Sequence, residues 1–265
     1  MTQYIMYFLI VLIATVAGSM TGIGGGIIIK PVLDAMGHYS VATIGILSSV
    51  TVLTMAAVSV SRQFAQGARI KPGIACPLII GSVLGGLIGE TSFKAILSVT
   101  GAGAAVTAIQ NTILALMVIT IFIYINVKNR VKSRTSQGFK QAVLTGGFLG
   151  IISSFLGIGG GPANVALLML VFSFEVKSAA VYSLLIILFS QASKLISVAV
   201  STGFGSFTLN MLPAMVIGGS MGGFIGAYLN KRLTDRVVSN CFLGIQAVVF
   251  GIAVYNIAAS LLSLS

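Results

Sequence analysis

Gly22-Ile23-Gly24-Gly25-Gly26 is repeated as Gly157-Ile158-Gly159-Gly160-Gly161, at an offset of 135 in a chain of 265 residues. A chain with 32 glycines can repeat such a run by chance, so the flanks decide. Ser19 and Ser154 keep the offset, as do Ser48 and Ser183. After Pro77 and Pro213, Gly81, Gly85, Gly86 and Gly89 match Gly218, Gly222, Gly223 and Gly226 at an offset of 137. Agreement this extended reads as two tandem copies of one unit.

The residues are 57% hydrophobic and 7% charged, with a mean hydropathy of +1.08. No soluble globule hides that much apolar surface, so the chain reads as an all-α integral membrane protein whose partner is the lipid bilayer. A net charge of +11 can signal nucleic acid. Here, however, the basic residues gather in short connections between apolar runs, which is the positive-inside pattern of a membrane protein, and no nucleic-acid partner is expected. Cys76 and Cys241 lie apart inside apolar segments, so neither a disulfide nor a metal site is expected. Residues 4–17 have the apolar character of a signal-peptide core, yet no Lys or Arg precedes them and the first copy would lose its first element. They are expected to stay.

Each copy divides into about five apolar segments. The first gives 4–20, 26–36, 41–61, 72–89 and 95–127, the last expected to combine a short interfacial piece with a span. The second gives 141–156, 162–174, 177–200, 207–229 and 237–259. Segments 26–36 and 162–174 fall short of the roughly 20 helical residues that cross a bilayer, and each directly follows a glycine loop. They are expected to be short, glycine-interrupted helices that span or re-enter. Residues 128–140 carry Lys128, Arg130, Lys132, Arg134 and Lys140 and no acid. The chain therefore divides into a first transmembrane repeat, 1–127, a basic cytoplasmic linker, 128–140, and a second transmembrane repeat, 141–265.

The other basic connections are 62–71, with Arg62, Arg69 and Lys71, and 231–236, with Lys231, Arg232 and Arg236. The first lies between the third and fourth segments of its copy, the second between the fourth and fifth. If all three basic connections are inside, the two repeats are inverted relative to each other and both termini lie outside. Inverted repeats are common in secondary transporters, which bind their cargo near the midplane.

Irregular backbone is tolerated at membrane depth only where protein or a wet cavity surrounds it. Short helices that start at Gly26 and Pro162 would aim unpaired N–H groups and positive dipole ends into the glycine loops, an arrangement suited to an anion. Gly24, Gly25, Gly26, Gly159, Gly160 and Gly161 are thus the candidate substrate-binding backbone. A tight turn between packed helices is the plainer account of the same glycines. Asn164 and Ser19 stand beside the loops as candidate donors, with a capping or interhelical role as the alternative.

Lys194 lies deep in the 177–200 run, and its equivalent in the first copy is Ser59. An ionisable residue at that depth faces a cavity or a partner, unless its stem reaches the interface. Lys194 with Gln191 is a candidate pair for holding an anion. Lys30 is weaker, since the end of its short run is expected near the surface. Asp34, Glu90, Glu175 and Asp235 are the only acids and sit at segment ends. They offer little for a carboxylate proton relay. His38, the one histidine, is expected in a surface loop. No cofactor, metal cluster, paired acid or nucleophile-base arrangement is visible, so an enzyme is not expected.

Gly18-Ser19-Met20-Thr21-Gly22-Ile23-Gly24-Gly25-Gly26, followed by Pro31-Val32-Leu33, resembles the signature of the sulfite exporter TauE/SafE family of membrane transporters. The second glycine loop and the Gly85-Gly86 and Gly222-Gly223 segments are similar to further landmarks of that family, in the same order. The resemblance implies a multi-pass transporter in the bacterial inner membrane. Its cargo would be a small sulfur-containing anion, sulfite or an organosulfonate, moved in the export direction. The sequence departs from the pattern at Ala166, where a proline like Pro31 is usual, and at Leu47-Ser48 and Tyr182-Ser183, where a Thr-Ser pair is expected. An anion channel and a membrane assembly factor or sensor that transports nothing stay open beside the transporter, as does a homo-oligomer.

Overall fold

Glycines and capping residues punctuate the chain into ten helices among the residues that the computed structural model describes, 2–101, 103–127 and 138–262. They are α1 (Thr2–Thr21), α2 (Gly26–Met36), α3 (Val41–Ala65), α4 (Pro72–Thr100) and α5 (Gly103–Val127), then α6 (Phe139–Leu156), α7 (Gly161–Phe172), α8 (Val176–Ser201), α9 (Leu212–Arg232) and α10 (Asp235–Leu262). Ser40 starts α3 by accepting the Thr43 N–H at 3.3 Å. Pro72, Pro162 and Pro213 occupy the first turns of α4, α7 and α9, where a missing N–H breaks no helical bond. Gly37, Gly101 and Gly157 end α2, α4 and α6 in the left-handed conformation, which a glycine adopts without strain.

Eight of the described helices, all but α2 and α7, are long and apolar enough to cross a membrane, and the protein is a multi-pass, all-helical membrane protein. At 1.5 Å per residue the 11 residues of α2 rise only about 16 Å, half the thickness of a hydrocarbon core. Two segment boundaries differ from expectation. Residues 95–100 are not an interfacial piece before a span but the last turns of α4, because the left-handed backbone at Gly101, with φ of 61°, is what breaks the helix. The 207–229 segment becomes helical only at Leu212, ahead of Pro213. Of the basic linker, Lys128, Arg130, Lys132 and Arg134 lie outside the described residues, while Lys140 is in the first turn of α6.

Glycines dictate which helices touch. A Cβ added to Gly81, Gly85 or Gly89 of α4 would collide in turn with the backbone at Val143, Gly147 and Ile151 of α6. The partners rise together, so the two helices run parallel with their backbones in contact. Likewise Gly218, Gly222 and Gly226 of α9 lie against the backbone of α1 at Phe8 and Val16, with the Thr15 side chain over Gly222. Small residues at four-residue spacing permit this approach where lipid supplies no hydrophobic drive for helix association. The first helix of each five-helix set therefore pairs with the fourth helix of the other.

Short α2 folds back along α1. The Tyr7 hydroxyl lies 3.0 Å from His38 Nδ1, and the Tyr39 ring meets the Tyr7 ring edge-on with centroids 6.1 Å apart. The chain thus leaves α2 beside the end from which α1 started. Asn256 of α10 donates to the carbonyl of Pro31 at 2.9 Å, holding α2 against the last helix.

Candidate functional site

Two glycine loops, 22–25 and 157–160, lie at the centre of the bundle between α1 and α2 and between α6 and α7. Their composition follows from their backbone: φ is 76° at Gly22 and 85° at Gly24, and 65°, 76°, 93° and 54° at Gly157, Gly159, Gly160 and Gly161. These left-handed values are accessible to glycine and costly for other residues. Gly25, by contrast, is right-handed, and its carbonyl accepts the Ile29 N–H at 3.0 Å as the first helical bond of α2. What keeps Gly25 small is Thr15, whose Cα lies 3.0 Å from an added Cβ.

The loops touch. A Cβ on Gly24 would sit 3.6 Å from the Gly159 carbonyl, and one on Gly26 would collide with the carbonyl of Ile158. Val52 of α3 and Ile187 of α8, equivalent at the 135-residue offset, both pack on Gly159 at the junction. In this conformation the contact leaves no space for an anion between Gly26 and Ile158.

Around the second loop the structure gathers Gln191, Lys194 and the last turn of α6. Gln191 Nε2 donates to Ser153 Oγ at 2.9 Å, and Lys194 Nζ donates to the Ser154 carbonyl at 3.2 Å. The final carbonyls of a helix lack intrahelical partners and carry its negative dipole end, so an ammonium is well matched to them. Lys194 Nζ also packs beside Gly157 and Gly45, 3.4 Å and 3.8 Å from a Cβ built on each, which is ordinary contact. At Gly22, the counterpart of Gly157, Ala180 fills the space where Gly45 leaves it open.

Ser19 is not part of this group. Its hydroxyl pairs with that of Ser59 at 2.7 Å and donates to the Gly223 carbonyl at 3.0 Å, tying α1, α3 and α9 together. Asn164 is fully buried on the first turn of α7, folded back against Gly160, and neither of its amide atoms has a hydrogen-bond partner.

Three side chains placed at segment ends or near the surface by sequence turn out to be buried, and they correct that reading. Glu90 lies within α4, which runs on for ten residues beyond it, and is 3% exposed. It faces Lys194 at 3.7 Å and Lys94 at 3.6 Å. Lys30, 2% exposed, makes an ion pair of 2.8 Å with Asp34 one turn along α2. The Lys30–Asp34 and Glu90–Lys94 spacings of four residues are the sequence signal for these partnerships. What hid them was the assumption that α2 and the 72–89 segment end near water. Lys30, Asp34, Gln110, Asn111, Leu156 and Ile158 enclose a cavity of ≈10 Å³, about the minimum for one water. The buried polar centre therefore lies beside the second loop, with both signs of charge present.

No curated protein and no solved structure matches the chain in sequence or fold comparison. A model of the family described as sulfite exporter TauE/SafE matches residues 7–253, nearly the whole length, with both glycine loops inside the match. The chain belongs to the sulfite exporter TauE/SafE family of membrane transporters.

Proposed function

We propose that the protein is a secondary transporter that exports sulfite or an organosulfonate across the bacterial inner membrane. It alternates access to a midplane site built by the two glycine loops with Lys194 and Gln191. The observation that carries this reading is Lys194, a cation held at 3% exposure against the second glycine loop and only loosely neutralised by Glu90 at 3.7 Å. An incoming oxyanion competes with Glu90 for that ammonium. Burial of a lysine in the membrane is expensive, and a cargo of opposite charge is the functional reason to keep one.

Residues 1–127 and 141–265 act as inverted repeats joined by the cytoplasmic 128–140 linker. The reciprocal pairing of α1 with α9 and of α6 with α4 supports this, as does Lys231 Nζ donating to the Gln66 carbonyl at 3.0 Å, which sets the 62–71 and 231–236 connections side by side. On this reading α1 and α2, like α6 and α7, enter and leave by the same face, with the glycine loops at the turning points. Export of an anion from a negative interior gains about 2.3 kcal/mol per charge per 100 mV, enough to run without a coupling ion.

The test is flux of sulfite and of a small alkanesulfonate in liposomes holding the purified protein, with a potassium diffusion potential imposed. Saturable, voltage-dependent flux that falls at least tenfold in Lys194→Gln is expected. Single-channel currents without saturation would replace the transporter by a channel. The contact of the two loops in this conformation favours one other reading, an assembly factor or sensor that moves nothing. Flux no greater than in empty vesicles for every anion tried would select it.

A further inference from the structure

The face that carries the basic connections opens into a cavity of ≈320 Å³, within the usual range for small-ligand sites. Gln63, Arg69, Lys177, Tyr182, Asn230 and Lys231 give it its character: three cations, two amides and a phenol, with no carboxylate among the described lining residues. Gln63 of α3 is 4% exposed, and neither of its amide atoms has a hydrogen-bond partner. A buried, unanswered amide is rare in a folded protein and calls for a partner that is not part of the chain. Tyr182 accepts the Lys71 N–H on its hydroxyl oxygen at 2.7 Å, so its own proton is free to be donated. Asn230 is hydrogen-bonded through its amide nitrogen to the Met20 carbonyl, which places the cavity wall on the turn just before the first glycine loop.

The internal duplication supplies an independent control. At the repeat offsets the counterparts of Gln63, Tyr182, Lys177 and Asn230 are Val198, Leu47, Ala42 and Phe93. Val198, Leu47 and Phe93 are buried, and Val198 packs with Ile46 and Leu195 beneath Phe207 and Leu209 into a small apolar cluster. The counterpart of Lys231 is a lysine too, Lys94, but it is drawn to Glu90 and Ser201, so at the other end Gln63, Tyr182, Lys177 and Asn230 are all replaced by apolar residues. The scaffold itself does not require the two amides, the phenol or Lys177, since the repeat-related end of the bundle does without them.

We infer that this cavity is a sided intake site, where a small oxyanion is bound from the face of the basic connections before it reaches the glycine loops. Donors of both kinds converge there, cations that attract the anion and amide and hydroxyl groups that orient it. The inference rests on the transport reading, and two measurements separate their failures. In liposomes, sulfite is added to one face or the other of oriented protein. Gln63→Leu and the double substitution Arg69→Gln/Lys177→Gln are expected to raise the ratio of basic-face to opposite-face KM at least fivefold. A wild-type protein that transports, with that ratio unchanged in both variants, overturns the intake site. If the wild type moves no anion, the transport reading falls, and calorimetric titration of the detergent-solubilised protein with sulfite decides the site by itself. Binding weakened at least fivefold in both variants upholds it, and wild-type binding that is absent or equal to that of the variants overturns it.

Discussion

At the scale of single residues, the Glu90–Lys194 pair sets the strongest expectation. Both side chains are 3% exposed and 3.7 Å apart, too far for a good hydrogen bond, so neither fully answers the other. Removing one partner of a buried pair strands a charge, at about 3–5 kcal/mol, whereas removing both leaves none. Glu90→Gln is therefore expected to lower stability by about 3 kcal/mol or more, and Glu90→Gln/Lys194→Gln to recover most of the loss. Denaturation in detergent micelles measures this, and simple additivity of the two single losses would show that the pair is not coupled. Lys194 shows how far sequence reaches at this scale. A lysine amid Ile187, Leu188, Leu195 and Ile196 is conspicuous in the one-dimensional pattern, so its burial was legible. That Glu90, 104 positions earlier, would be its counter-ion was not, because the pairing depends on how α4 is set against α8.

At the scale of elements, the outcome of a glycine substitution depends on what the glycine faces. Gly85 of α4 lies against the Gly147 carbonyl of α6, so Gly85→Ala must push two backbones apart. A loss of about 1–3 kcal/mol is expected. Gly251 of α10 is exposed and has nothing within 4 Å, so Gly251→Ala only restricts the unfolded chain and gains about 0.5–1 kcal/mol. Opposite signs for one chemical change on two helices would establish the α4–α6 contact; equal signs would refute it. Gly26→Ala, which meets the Ile158 carbonyl across the loop junction, is expected to abolish transport at a stability loss of about 1–3 kcal/mol. Normal flux in that variant would mean that the two loops need not touch in the working cycle. The glycine spacing could be read from sequence, because residues four apart share one helix face. Which helix lies opposite could not.

At the scale of the whole molecule, sidedness is the testable property. In a background with Cys76 and Cys241 replaced, Arg69→Cys and Lys231→Cys are expected to react with a membrane-impermeant thiol reagent from the same face, and Gly205→Cys from the other. Arg69 and Lys231 flank one cavity, while Gly205 lies in the connection between α8 and α9. Labelling of Arg69→Cys and Lys231→Cys from opposite faces would refute the inverted arrangement and the transport cycle built on it.

The ten helices of the described residues and their glycine breaks were legible in the sequence. Each depends on local physics: a backbone in lipid must satisfy its own hydrogen bonds within a segment, and a left-handed φ needs a glycine wherever it occurs. Tertiary structure alone decided that the two loops meet, that Glu90 and Lys30 are buried in ion pairs, and that Gln63 faces a cationic cavity while its counterpart Val198 is sealed among apolar side chains. Those outcomes belong to contacts between residues far apart in the chain, whose energies depend on what surrounds each group after folding rather than on its neighbours in sequence.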